Sequence, residues 1–284
     1  MDENIRAAYS DLSMAIALDS SKLEYYFAMA DLSLKGGSVP AAVTAYNQLL
    51  RRDPKNTEAI LKLSKVYYFD RDYSNSLVQL AKAEELDKKN GEIWFIRGLN
   101  LKEMQDTVRA LSAFQRAVTL KPDFYEAYIQ LGLLAERQKS QVAAQYYDNA
   151  IRIDPQNPEA YYNKAKFLQD RGEAAFEKAD MDEADLSFEK AKSVYRELIG
   201  LDPQYEHAYF NTGFILIRQD SLAEAFKLFD FAIKIKPYYA EAYYYRGLIT
   251  LQQGNKEQAQ ADFRQALALK PDYELAENEL SELE

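Results

Sequence analysis

Apolar positions in this chain recur at offsets of three and four, which gathers side chains on one side of a 3.6-residue helix. Residues 240–271, AEAYYYRGLITLQQGNKEQAQADFRQALALKP, show the pattern most plainly. Tyr243, Gly247 and Thr250 share one face of a first helix. Ala259, Phe263 and Ala266 share one face of a second. Gly254-Asn255 breaks the apolar pattern and predicts the turn between them, and Pro271 ends the second helix.

The pattern then repeats. Pro203, Pro237 and Pro271 are each 34 residues apart, and Pro54 and Pro122 are separated by 68, twice that period. The first-helix glycine recurs at Gly213, Gly132 and Gly98, with Ala165, Ser64 and Ala30 as small substitutes. Tyr209, Tyr161, Tyr128, Trp94, Ile60 and Tyr26 take the place of Tyr243. Ala225, Ala191, Ala143, Ala110, Ser76 and Ala42 take the place of Ala259. Four residues on stands a large side chain: Phe229, Tyr195, Tyr147, Phe114, Leu80 or Tyr46. One helical hairpin cannot bury its apolar face; stacked hairpins form a continuous core, and small residues let the backbones approach.

This period, with small residues at helix crossings and aromatics beside them, resembles the tetratricopeptide repeat (TPR) over essentially the whole chain. The resemblance implies an all-α fold: a right-handed superhelical solenoid of antiparallel helix pairs, with a concave groove lined by the first helices. The expected organisation of the 284 residues is one array. A half repeat or cap helix spans 1–20, followed by full repeats at 23–56, 57–90, 91–124, 125–157, 158–205, 206–239 and 240–273, and a cap helix at 274–284. The half repeat reads either as a natural cap or as the remnant of a longer chain whose leader or upstream repeats are missing.

Two repeats depart from the period. Gly132 and Ala143 are 11 residues apart, against 12 for Gly247 and Ala259, which predicts a tighter turn near Lys139-Ser140. Ala165 and Ala191 are 26 apart, 14 more than usual, in a stretch of helical composition. Such an insertion adds about two turns to each of two antiparallel helices and predicts a hairpin protruding by roughly 10 Å. Its turn is expected at Ala179-Asp180-Met181-Asp182, with Asp182 as N-cap.

Composition narrows the function. Net charge is −10, and no long basic run exists, which disfavours counterion-release binding to nucleic acid and attraction to anionic membranes. The chain has no cysteine and therefore neither disulfides nor thiolate metal sites. No run of 18 apolar residues is present, so no direct membrane insertion is expected. The N-terminus shows no signal peptide; cytoplasm and a bacterial envelope with the leader removed remain equally open.

No catalytic constellation, cofactor motif or metal motif emerges. His207, the one histidine, sits in the first turn of a helix and reads as incidental. Asp180, Asp182 and Asp185 cluster at the inserted turn, but an EF-hand would place glycine and glutamate where Asp185 and Ala191 stand. The expectation is a non-enzymatic scaffold that binds a protein or peptide segment. The alternative is a recruitment or regulatory segment of a larger enzyme, such as a transferase or kinase, or of an envelope assembly. The array ends and the 173–190 hairpin are candidate surfaces for self-association.

The resemblance also implies groove residues. In related arrays the residue after the first-helix aromatic points into the concave surface; here that column reads Phe27, Leu61, Phe95, Ile129, Tyr162, Phe210 and Tyr244. One turn on stand Asp31, Lys65, Leu99, Leu133, Lys166, Phe214 and Leu248. Two apolar patches result, Phe95, Leu99, Ile129 and Leu133, then Phe210, Phe214, Tyr244 and Leu248 with Ile217 and Leu251 nearby, separated by a polar saddle of Tyr162, Asn163 and Lys166. These residues either anchor an apolar segment or pack against neighbouring repeats. Asn163 and Asn211 share the next column, where an amide grips a peptide backbone in some related arrays. The carboxylate clamp of chaperone-binding relatives is absent, since Phe27, Asp31, Lys62, Glu92 and Ile96 stand at its places; Arg137 and Arg218 remain candidates for an acidic ligand.

Overall fold

The computed structural model describes residues 3–283. Residues 1, 2 and 284, at the outer ends of the expected half repeat and cap, lie outside the described residues. All regular structure among the described residues is α-helical. Two compact units are present, 1–134 and 135–284, and the division falls within α8.

In the first unit α1 (Glu3–Leu18) leads to three hairpins, α2 (Leu23–Lys35) with α3 (Val39–Arg52), α4 (Thr57–Phe69) with α5 (Tyr73–Leu86), and α6 (Gly91–Glu103) with α7 (Thr107–Leu120), and then to α8 (Tyr125–Arg137). In the second unit α9 (Ala143–Ile153) precedes α10 (Pro158–Phe176) paired with α11 (Met181–Leu201), α12 (Glu206–Arg218) with α13 (Leu222–Ile235), α14 (Ala240–Gln252) with α15 (Lys256–Leu269), and then α16 (Glu274–Leu283).

The turn inside each hairpin is built from one local device. The helix ends in a left-handed residue, Gly37 (φ 75°), Arg71 (62°), Gln105 (62°), Ala179 (59°), Asp220 (53°) or Gly254 (82°). The next amide then bonds back five residues, as from Asp106 N–H to Leu101 O at 2.8 Å, Asp180 to Ala175 at 3.0 Å and Asn255 to Thr250 at 2.9 Å. That same residue opens the second helix: Asp72, Asp106, Asp180 and Asn255 accept from the amides of Asn75, Arg109, Glu183 and Gln258. The cap of the long hairpin is therefore Asp180, not the expected Asp182, because Ala179 takes the left-handed position and sets the start one step earlier.

Rings of the second helices fill the spaces left by small residues on the first. Phe114, Tyr147, Tyr195, Phe229 and Phe263 are essentially inaccessible to solvent. A Cβ added at Gly98 would meet a ring carbon of Phe114 at 2.6 Å, and one at Gly247 would meet Phe263 at 2.7 Å.

The inserted residues lengthen both helices of one hairpin. α10 has 19 residues and α11 has 21, against 13 in α12 and 14 in α13. Six extra residues at 1.5 Å rise extend the hairpin by ~9 Å. The extension is tied down. Arg218 at the end of α12 donates to Glu173 Oε2 at 3.0 Å, and Gln219 Nε2 reaches Asp185 Oδ1 at 3.2 Å.

Candidate interaction face

The first helices of each unit present one column just after the first-helix aromatic and a second column one turn on. In the first unit this face is largely committed to packing. Leu61 and Ile129 are buried. Phe95 is half-buried, with its ring 4.7 Å from that of Phe124 and 5.7 Å from that of Phe114. Phe27 packs edge-on to Tyr46 at 6.1 Å, with the Lys62 ammonium 4.8 Å from its centroid. Leu99 and Leu133 are half-buried. Lys65 is paired with Glu92 at 2.5 Å, and Lys102 with Gln130 at 2.9 Å. Phe69, at the end of α4, is 79% exposed.

In the second unit the face is a run of rings in contact. Tyr162 lies 5.5 Å from Tyr205 and 6.1 Å from His207. His207 meets Tyr239 edge-on at 5.5 Å, Tyr239 stacks on Phe210 at 4.8 Å, and Phe210 and Phe214 both touch Tyr245, at 5.8 and 5.4 Å. Tyr244 is buried against Tyr273 at 5.1 Å and Phe263 at 5.9 Å. Leu248, Leu251 and Ile217 are half-buried beside them.

The two asparagines separate. Asn211 is buried and reaches the Tyr195 hydroxyl. Asn163 is half-buried, and its amide has no hydrogen bond among the described residues. Lys166 pairs with Asp170. Arg218 is already paired with Glu173, and its guanidinium lies 5.2 Å from the centroids of both Phe176 and Phe214. Arg137 is exposed.

A polar seam runs along the rings. The Tyr239 hydroxyl is 2.9 Å from His207 Nδ1, and His207 Nε2 is 3.6 Å from the Glu206 carboxylate. Burial pushes the Glu206 carboxyl up, but the Lys236 hydrogen bond at 2.9 Å and the nearby His207 hold it net below the usual carboxylate range. Burial, with Tyr162 adjacent, pushes the Tyr205 hydroxyl up to about 12. Burial also raises Tyr239, assisted by the Glu241 carboxylate. Among the described residues no group of three or more His, Asp or Glu side chains is placed to hold a metal ion. No helix among them is long and apolar enough to cross a membrane.

The tetratricopeptide repeat profile matches residues 27–92, 95–158 and 186–240, and related profiles match 146–180 and 240–273. The chain belongs to the tetratricopeptide repeat family. TPR proteins are interaction scaffolds, and their stacked hairpins supply extended binding surfaces.

Among curated relatives, the mouse protein O-mannosyl-transferase TMTC1 is 26% identical over 156 residues. That match spans 53% of this chain but only 17% of the mouse protein. The photosystem I assembly protein Ycf3 of Acaryochloris marina is also 26% identical, over 48% of this chain and 86% of its own length. Among solved structures, the C-terminal part of a TPR protein from Cytophaga hutchinsonii superposes with a TM-score of 0.71 at 18% identity, covering 91% of this chain and 99% of that one. MamA superposes at 0.50 with 28% identity, covering 63% and 95%.

Sequence reasoning missed several TPR face residues: Phe124, Tyr205, Tyr239 and Tyr273. Each stands two residues after a proline, just before a first helix. Phe124, Tyr239 and Tyr273 each cover the residue 29 positions earlier in the expected groove column, Phe95, Phe210 and Tyr244. Tyr205 covers Tyr162 across the insertion. A lysine three residues before lies over the ring at Phe124 (4.4 Å), Tyr239 (4.9 Å) and Tyr273 (4.7 Å). Other repeats carry Asn56, Asn90 or Asn157 there, and these cap helices instead. The recurring Lys-Pro-x-aromatic spelling was the available signal. His207, read as incidental, joins the same cluster.

Proposed function

We propose that the chain is a non-catalytic scaffold that holds a peptide segment on the first-helix face of the second unit. In this reading α2–α3, α4–α5, α6–α7, α8–α9, α10–α11, α12–α13 and α14–α15 are its repeats. The observation that carries the reading is the ring series from Tyr162 to Phe214 beside the unpaired Asn163 amide. Half-buried rings offer apolar contact to alternate side chains, and an amide that both donates and accepts matches a peptide bond. Phe95, Leu99 and Leu133 in the first unit offer a smaller apolar area.

Peptides selected from a displayed library on the intact chain test this. Selected binders are expected to weaken on Phe214→Ala and, by roughly fivefold, on Asn163→Ala, the worth of about one hydrogen bond. Equal affinity for wild type and both variants refutes the assignment.

A second reading rests on the transferase match, in which the aligned region is a small part of a longer protein. The chain would then recruit substrates or partners for an attached activity. A native protein with the mass of this chain alone counts against it.

A further inference from the structure

Three grooves on the other side of the second unit share one construction. Each has a second helix as one wall, the next first helix as floor and the following second helix as the opposite wall. The floor residue three after the first-helix aromatic is Lys164, Thr212 or Arg246. The wall residue just after the buried second-helix ring is Asp148, Arg196 or Asp230.

Two of these grooves are bridged internally. Lys164 Nζ pairs with Asp148 at 2.6 Å. Arg246 pairs with Asp230 at 2.9 Å and, across the groove, with Asp262 at 2.7 Å. The middle groove has neither partner. Its floor is Thr212, whose hydroxyl donates to Ala208 O at 2.7 Å, and its wall carries a cation where the others carry a carboxylate.

A pocket of 420 Å³ opens there between α11 and α13, over α12. Leu216, Leu228 and Ile199 line it, and at one end stands Phe231, which is 51% exposed and stacks on Tyr209 at 5.8 Å. Lys192, Arg196 and Lys227 line it against one carboxylate, Glu224. Lys192 is held by Glu189 at 2.6 Å and Gln219 at 2.8 Å. Arg196 feels the Glu189 carboxylate, yet neither it nor Lys227 forms an ion pair or hydrogen bond among the described residues. In a chain of net charge −10, this pocket has a cationic excess.

We infer that this groove is a second docking site, for an acidic partner segment that carries an apolar side chain beside its carboxylate. The partner's carboxylate takes the place that Asp148 and Asp230 fill in the flanking grooves. Arg196 presents a planar fork for it, and Lys227 adds a point charge. The apolar side chain covers Leu216 and Leu228 next to Phe231.

The test uses the full chain and a fluorescein-labelled peptide of glutamates interspersed with leucine and phenylalanine, read by fluorescence anisotropy. Saturable binding is expected, weakened about tenfold or more by Arg196→Glu/Lys227→Glu. Thr212→Arg/Arg196→Asp installs the bridge of the flanking grooves; it is expected to abolish binding while melting at or above the wild-type temperature. Phe214→Ala, on the opposite face, is expected to leave this binding unchanged, so the site stands or falls separately from the first. The inference is overturned by the absence of saturable binding to wild type. It is equally overturned if the bridged variant binds as wild type does, or if the glutamine version of the peptide binds as tightly.

Discussion

Gly172 lies directly beneath the ring of Phe188: a Cβ on it would stand 2.4 Å from Cδ1 and 2.5 Å from Cε1. The same 16-residue separation joins Gly98 to Phe114, Gly213 to Phe229 and Gly247 to Phe263. The long hairpin thus keeps an ordinary crossing next to its turn. Ala165 and Tyr195, both fully buried and seven residues further from the turn on their helices, add a second layer. Gly172→Ala is expected to cost about 2 kcal/mol, since the ring has nowhere to move in a filled layer. Gly200→Ala is the control: nothing lies within 4 Å of its Cβ position, and removing a helical glycine is expected to stabilise by roughly 0.5 kcal/mol. Thermal melting followed by circular dichroism separates the two signs.

Arg246 is the keystone of an internal bridge. Asp262, 2% exposed, receives two of its hydrogen bonds, and Asp230 a third. Arg246→Met leaves a buried carboxylate without its cation and is expected to cost about 3 kcal/mol. Arg246→Met/Asp262→Leu is expected to recover most of that loss in urea denaturation, because the penalty belongs to the stranded charge.

Asn100 is fully buried, with Nδ2 bonded to Ile96 O at 2.8 Å and Oδ1 without a hydrogen-bond partner among the described residues. The corresponding position, two after the small first-helix residue, is Leu32, Val66, Leu134, Phe167, Ile215 or Ile249 elsewhere. Asn100→Leu is expected to raise stability by about 1 kcal/mol by removing an unsatisfied acceptor. A lower melting temperature refutes this account of the site.

Alkaline pH is expected to unfold the chain. Burial raises Tyr46, Tyr147, Tyr195, Tyr239 and Tyr273, and Tyr205 to about 12. The unfolded chain ionises these phenols near their ordinary value of about 10. Above that pH it binds fewer protons than the folded chain, so stability is full below pH ~10 and falls as pH rises towards the folded values. Tyrosinate absorbance is expected to appear together with loss of helical dichroism. Ionisation of all tyrosines with helicity intact contradicts this.

The hairpins were legible in the sequence because their signals are local. Offsets of three and four select the buried face, Gly254-Asn255 marks a turn, and 14 extra residues divide between two antiparallel helices. The cap at Asp180 needed the turn geometry, since two aspartates two residues apart both fit the local rule. The face was decided through space. Leu61, Ile129, Tyr244 and Asn211 lie in the expected groove columns yet are buried, whereas the Asn163 amide has no hydrogen bond among the described residues. No helical periodicity reports that Phe124, Tyr239 and Tyr273 pack over residues 29 positions earlier. Likewise, Thr212 beside Arg196 is unremarkable in the chain. It leaves its groove unbridged because Thr212 puts no cation on the floor and Arg196 no carboxylate on the wall, where Lys164 with Asp148 and Arg246 with Asp230 close the flanking grooves. Local pattern sets which residues a helix buries; contact between helices sets which of the remainder are left for a partner.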